Sequence, residues 1–409
     1  MEDILAKLFD GVVYLFDPSG AGLKSLLMFV IAGVLIYLAI KKDYEPTLLL
    51  PIGFGCILAN LPPIIGAVLE DGVLGEGPIA SVLESGKGFL DVLFTAGIAN
   101  ELFPVLIFIA VGAMIDFSPL LKDPSMIFFG AAAQFGIFIT FLASLVLIPL
   151  LLGENNPDQV MKLASAIGII GAADGPTTLF VANHFQLKDY MGPISVAAYS
   201  YMALVPVIQP PVIKALTTKK ERMIRMDYQE ARCSKTTLIL FPIIVTIVAG
   251  IIVPMSAPLV GSLMFGNLIR ECGVLERLSK TAQNELANLV TIVLGITIGG
   301  TMVADKFLQV ETLLIMGLGL FAFIFDTAGG VLFAKLLNLF RKKKVNPMIG
   351  AAGISAFPMS SRVIAKMALK EDPSNFILMQ STSANVSGQL GSIVAGGMVI
   401  TLVSMLIGG

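Results

Sequence analysis

The chain has 409 residues, of which 56% are hydrophobic and 14% charged, with a mean hydropathy of +0.88. A water-soluble domain of this length does not carry so little charge, so the composition indicates an integral membrane protein. A net charge of −2 without a basic face argues against a nucleic-acid role, and one histidine (His184) and three unpaired-spacing cysteines (Cys56, Cys233, Cys272) argue against His-based metal chemistry and a disulfide framework.

Met1–Asp10 is acidic rather than Lys/Arg-rich, so no cleavable signal peptide is expected. Apolar segments between charged or turn-rich breaks then predict membrane helices near 24–40, 47–69, 102–119, 125–152, 163–183, 191–216, 236–254, 256–269, 286–304, 312–340, 347–369 and 376–407. Gly86–Ala99 is amphipathic and reads as an interfacial or re-entrant piece.

The segment Leu163–Asn183 is the most informative. It is long enough to cross a bilayer at ~1.5 Å per residue, and its only charge is Asp174. Around the acid the chain reads Gly-Ile-Ile-Gly-Ala-Ala-Asp-Gly-Pro-Thr-Thr (Gly168–Thr178), where three glycines and a proline predict a helix broken at membrane depth. An acid left there costs roughly 2.5–3.5 kcal/mol on insertion scales. Broken backbone is tolerated only inside protein or beside a polar cavity. A bound cation or a proton would offset both costs.

Two halves of the chain resemble each other. Gly112–Leu120 parallels Gly300–Leu308, Gly171–Gly175 parallels Gly350–Ser355, and Gln209 falls in step with Gln389, all in the same order. The loop before the broken segment is acidic in the first half (Glu154, Asp158) and basic in the second (Arg341-Lys342-Lys343-Lys344). By the positive-inside rule these loops face opposite sides, with the basic one cytoplasmic, together with the connector carrying Lys219, Lys220, Arg222, Arg225, Arg232 and Lys235. The expectation is an all-α polytopic membrane protein with an inverted-topology repeat, its two broken helices meeting near the bilayer midplane. Its parts are N-terminal helices and an interfacial segment (1–99), a first repeat (100–216), a basic connector with linking helices (217–285) and a second, inverted repeat (286–409).

The second broken segment, Asn346–Arg362, offers Asn346, Ser355, Ser360 and Ser361 with carbonyls freed by Pro347 and Pro358; the last helix adds Ser381, Thr382, Ser383, Asn385, Ser387 and Gln389. A hard monovalent cation takes several mostly neutral oxygens with about one carboxylate. Asp174 with Ser355 and Asn385 therefore suits Na+, although small hydroxyl residues also serve tight helix packing. Asp326 and Arg362 are further polar groups at membrane depth; mutual pairing is the simpler account, and an anion-binding role for Arg362 is the other. Tyr199 and Tyr201 could donate a proton or line the interface, and the residues alone leave that open.

Gly168–Thr177, Ala197–Pro206 and Asn346–Ser355 together resemble the membrane β subunit of the sodium-pumping biotin-dependent decarboxylases, whose members act on oxaloacetate, methylmalonyl-CoA, glutaconyl-CoA or malonate. The resemblance runs from Leu58–Pro62 to the C-terminus. It implies a translocase that removes CO2 from carboxybiotin, presented by a separate biotin carrier protein, while exporting Na+ and consuming a proton. The residues it implies are Asp174 and Tyr201 as catalytic, Arg362 as catalytic and carboxybiotin-binding, and Asp174, Asn346, Gly350, Ser355 and Asn385 as the Na+ site. It further implies carboxyltransferase and biotin-carrier subunits, a small membrane-anchoring subunit, a homo-oligomer within the complex, and a bacterial cell membrane. No biotinylation Met-Lys-Met and no carboxyltransferase segment occur in the chain, which agrees with work inside a complex. Two alternatives are a stand-alone Na+-coupled carrier or Na+/H+ antiporter, which would move Na+ unaided, and a non-catalytic scaffold, which would tolerate loss of Asp174.

Overall fold

The computed structural model describes residues 12, 14–16, 21–43, 45–61, 88–187, 190–226 and 233–408. Met1–Asp10, the end of the 47–69 segment, the first two residues of Gly86–Ala99, and Arg232 lie outside the described residues.

Every regular element among the described residues is helical. In chain order the main helices are α1 (Ala21–Lys42), α2 (Pro46–Ala59), α3 (Leu102–Met114), α4 (Ile127–Ala133), α5 (Phe135–Leu152), α6 (Pro157–Ile170) and α7 (Gly175–His184). There follow α8 (Met191–Leu216), α9 (Lys235–Ile252), α10 (Ala257–Glu271), α11 (Ala287–Gly300), α12 (Val310–Phe340), α13 (Met359–Glu371) and α14 (Leu378–Ile407). Among the described residues six helices are long and apolar enough to cross a membrane, or seven if Phe89–Ile98 and Leu102–Met114, bent by 61°, form one span. Their outer faces are those of lipid-facing helices: Pro242 is the one buried residue of α9, and Leu142, Val146 and Leu150 stand exposed along α5. The molecule is a multi-pass membrane protein.

Local sequence sets the element boundaries. Asn156 caps α6 by accepting from Asp158 N (3.1 Å), with Pro157 in the first turn, where its missing N–H costs nothing. Gln134 interrupts the predicted 125–152 helix, leaving α4 and α5 as two pieces.

Two segments expected as crossings return to the end from which they start. Asn346 Nδ2 donates to the carbonyls of Arg222 (2.8 Å) and Ile224 (2.9 Å), and Asn375 Nδ2 reaches the same two oxygens at 3.3 Å. Glu371 and Asp372 pair with Arg222 (2.8 Å) and Arg225 (2.6 Å). Residues 346 and 371–375 therefore sit at one end of the molecule, joined to the same short stretch of chain. Arg341 Nη2, bonded to Ser125 Oγ (3.1 Å), belongs to that end too.

The other interrupted segment occupies the opposite end. Helix α14 has 30 residues and so spans about 45 Å; His184, closing α7, lies 3.4 Å from Ser404 Oγ near its far terminus. Helices α4 and α5 lead from Ser125 to Leu152, which carries the turn before α6 to that same far end. The physical reason for both returns is local. Gly171 to Gly175 in one segment, and Gly353 to Pro358 in the other, are too poor in helix formers to continue a single axis.

Candidate functional site

The tips of the two segments touch. After α6 the chain leaves the helix at Gly171, and Ala173 adopts a left-handed conformation (φ 52°), which costs a residue with a Cβ about 1–2 kcal/mol. Asp174 follows as the N-cap of α7 and accepts from Thr177 N (3.3 Å) and Thr177 Oγ1 (2.6 Å). The turn leaves the Ala172 carbonyl free of its own helix. Ser355, at the tip of the second segment, donates to that carbonyl from both its backbone N (3.1 Å) and its Oγ (2.8 Å).

Helix α14 runs along this junction. Asn385, Gln389 and Ser392 are spaced to share one helix face. Asn385 Nδ2 donates to the Ile354 carbonyl (2.6 Å) in the second tip. Gln389 Nε2 (3.3 Å) and Ser392 Oγ (2.8 Å) donate to Asp174 Oδ2 in the first. Asp174 is only 3% exposed, and its charge is met by neutral donors and the amino end of α7; among the described residues no lysine or arginine is paired with it. Asn385 Oδ1 is buried and accepts nothing. A carboxylate, an unfilled amide oxygen and loosened carbonyls within one joint form a donor set suited to a monovalent cation.

Other predicted residues lie elsewhere. Asn346 is buried, but its side chain holds the 222–224 carbonyls and, through Oδ1, Met348 N (3.1 Å). Gly350 is a packing position: a Cβ there would come within 1.9 Å of the Gly330 carbonyl oxygen, so it lets the second segment touch α12 backbone to backbone. Tyr201 donates to the Met316 carbonyl on α12. Tyr199, two residues earlier, lies against the α7 start instead; a Cβ on Gly175 would strike its ring at 2.2 Å, and its hydroxyl has no partner. Arg362 is exposed on α13 and does not pair with Asp326. Its charge acts on Glu45, where burial pushes the carboxyl up and Arg362 pulls it back.

Ser392 and Thr177, both bonded to Asp174, are the contacts that reading the residues one by one passed over. The signal for Ser392 was its spacing, one turn beyond Gln389 on the Asn385 face. Gln209 on α8 mirrors Gln389: its Nε2 donates to the Ala351 carbonyl (2.7 Å) of the second segment, and Ser360 Oγ donates to its Oε1 (3.1 Å). A cavity of about 290 Å³ opens at the end bearing Arg341, lined by Lys122, Arg225, Arg341, Lys342 and Lys344, with Ser383 of α14 on its wall.

These features define a class, a multi-pass helical membrane protein with a carboxylate buried where two interrupted segments meet. The chain belongs to the family of the Na+-transporting oxaloacetate decarboxylase beta subunit, whose sequence model matches residues 24–403. It is 46% identical to the methylmalonyl-CoA decarboxylase subunit beta of Propionigenium modestum over 390 residues, which is 94% of this chain and 96% of that one. It is 44% identical to the oxaloacetate decarboxylase beta chain of Klebsiella pneumoniae (94% of this chain, 96% of the relative) and 42% identical to that of Haemophilus ducreyi (100% of each).

Proposed function

We propose that this chain decarboxylates carboxybiotin, brought by a separate biotin carrier subunit, and couples that step to Na+ export, with Asp174 as the group that exchanges Na+ for a proton. The observation that carries the reading is the placement of Asp174. It is a buried carboxylate with neutral partners on the same face of α14 that carries Asn385 to the second tip, at the joint of two segments entered from opposite ends. Such a joint can open to one end or the other while the ion stays near the middle.

The element order supports reading the halves as inverted repeats. Helix α3 is followed by a short helix Ser118–Lys122, as α11 is by Ala304–Phe307; α4 and α5 correspond to α12, α6 to Met348–Ala351, α7 to α13, and α8 to α14. Gln209 reaching the second segment and Gln389 reaching the first are what a twofold relation between halves requires. We read the Arg341 end as cytoplasmic, in the bacterial cell membrane. There the basic cavity would admit the carboxylated biotin, and exposed Arg362, which lies by Glu45 and does not line that cavity, is a separate candidate as bidentate partner for its carboxylate.

In the step itself the N–CO2 bond of carboxybiotin breaks, CO2 leaves, and the ureido nitrogen takes a proton. Na+ arriving at Asp174 displaces that proton, so decarboxylation and ion movement share one carboxyl group. Ser355 and Asn385 supply neutral oxygens; Asn346 and Gly350 hold the second segment in place; and Tyr201 fixes α8 against α12. Partner carboxyltransferase and small membrane-anchoring subunits, with more than one copy of this chain, complete the machine, and the carboxyltransferase selects the acid.

The test is Asp174→Asn in the reconstituted complex. Loss of both Na+ transport and Na+-dependent decarboxylation, with the complex still assembled, is expected. Normal sodium-stimulated turnover would remove this carboxyl from the mechanism. Na+ flux catalysed by the chain alone would favour a stand-alone carrier.

A further inference from the structure

Asp326 is a buried carboxylic acid that the reading above leaves unused. It sits on α12, 1% exposed, and its Oδ1 accepts from Ile137 N (3.0 Å) at the start of α5, an amide that also reaches the Gln134 carbonyl (3.1 Å) where the helix is interrupted. Oδ2 has no partner, and it faces Gly171, where a Cβ would stand 2.8 Å from it. Gly171 opens the turn that ends in Asp174, so the two carboxyl groups share one short piece of chain. No lysine or arginine acts on Asp326.

The hydroxyls around it are unusual for this protein. Ser165, Ser195, Thr246 and Thr297 each donate to the carbonyl four residues earlier in their own helix, the ordinary habit of a helical hydroxyl. Thr140 and Ser144 on α5, and Thr327 beside Asp326, are buried without any partner. Thr140 and Ser144 lie one and two turns beyond Gly136, whose own Cβ would meet Asp326 Oδ1 at 2.4 Å. One carboxyl oxygen and one hydroxyl on α12 and two hydroxyls on α5 therefore have no hydrogen-bond partner among the described residues.

We propose that Asp326 Oδ2 is a second proton-binding site, working in series with Asp174. The proton held there is released when Na+ binds at the neighbouring segment tip and is regained when Na+ leaves. This rests on the Na+ reading of Asp174, and its failure can be told apart from failure of that reading.

The decisive variant is Asp326→Asn, whose Oδ1 still caps α5 while the amide nitrogen replaces the proton-binding oxygen. Full-length protein in detergent is titrated with NaCl in weak buffer containing a pH indicator. The wild type is expected to release protons as Na+ binds, and Asp326→Asn to bind Na+ but release at least about twofold fewer protons per ion. Equal release from both proteins would overturn the proposal while leaving the Asp174 site intact, whereas absence of Na+ binding to the wild type would overturn the Asp174 site itself. Should Asp326→Asn not fold, infrared difference spectra of Asp326→Glu protein give the answer. The protonated-carboxyl band that changes when Na+ binds to the wild type is expected to shift in frequency in Asp326→Glu, and an unshifted band overturns the proposal.

Discussion

Asp174 accepts four hydrogen bonds, from Thr177 N, Thr177 Oγ1, Gln389 and Ser392, and all four donors are neutral. Neutral donors stabilise a carboxylate without competing with a cation for its charge, which is what reversible Na+ binding needs. Each is worth about 0.5–1.5 kcal/mol net. Ser392→Ala, which removes one of these bonds, and Asn385→Ala, which removes a proposed neutral oxygen ligand, should each raise the half-saturating Na+ concentration by roughly two- to tenfold, with recovery at high Na+. An unchanged sodium dependence in both would move the site away from this joint. The two tyrosines separate on stability. Tyr201→Phe leaves the Met316 carbonyl without its partner and should destabilise the protein by about 1 kcal/mol or more. Tyr199→Phe removes a hydroxyl that bonds to nothing and should shift the unfolding temperature little. Equal thermal shifts would contradict these placements. Asp174 was legible in the sequence because a lone acid among glycines in an apolar segment has few structural excuses. Ser392 was not, because its importance comes from a helix face that exists only once α14 is laid across both tips.

At the scale of elements, the interrupted segments depend on what holds their ends. Both ends of the second are tied to residues 222–225 through Asn346, Asn375, Glu371 and Asp372. The Arg225 hydrogen bond holds the Asp372 carboxyl below the usual carboxylate range. A group whose folded pKa is depressed stabilises the fold above its unfolded value, near pH 4, and that contribution is lost as pH falls through the folded value. Acidification below about pH 4 should loosen the 222–226 stretch, seen as faster amide exchange there, and Asp372→Asn should already show the loosened behaviour at neutral pH. Acid-independent exchange in the wild type would mean the ion pair does not secure the segment. The sequence announced that both segments are interrupted, through Gly171, Gly175, Pro176 and Pro358. Hydropathy could not say that they return, since a turned-back hairpin and a crossing have the same apolar length.

For the whole molecule, the proposed inverted repeat would relate Gln209, bonded to the Ala351 carbonyl, to Gln389, bonded to Asp174. Under that proposal the loop charges, acidic before α6 and basic before Met348–Ala351, put the two loops on opposite sides of the membrane. What the sequence left hidden was the break at Gln134, beside which the Ile137 amide meets Asp326 across a separation no local pattern reveals. The central claim is that Asp174, at the joint of the two tips, is where Na+ binds. Calorimetric titration of the purified full-length protein with NaCl tests it most directly. The account predicts saturable Na+ binding to the wild type that K+ does not reproduce, and none to folded Asp174→Asn. Undiminished Na+ binding to Asp174→Asn would contradict it.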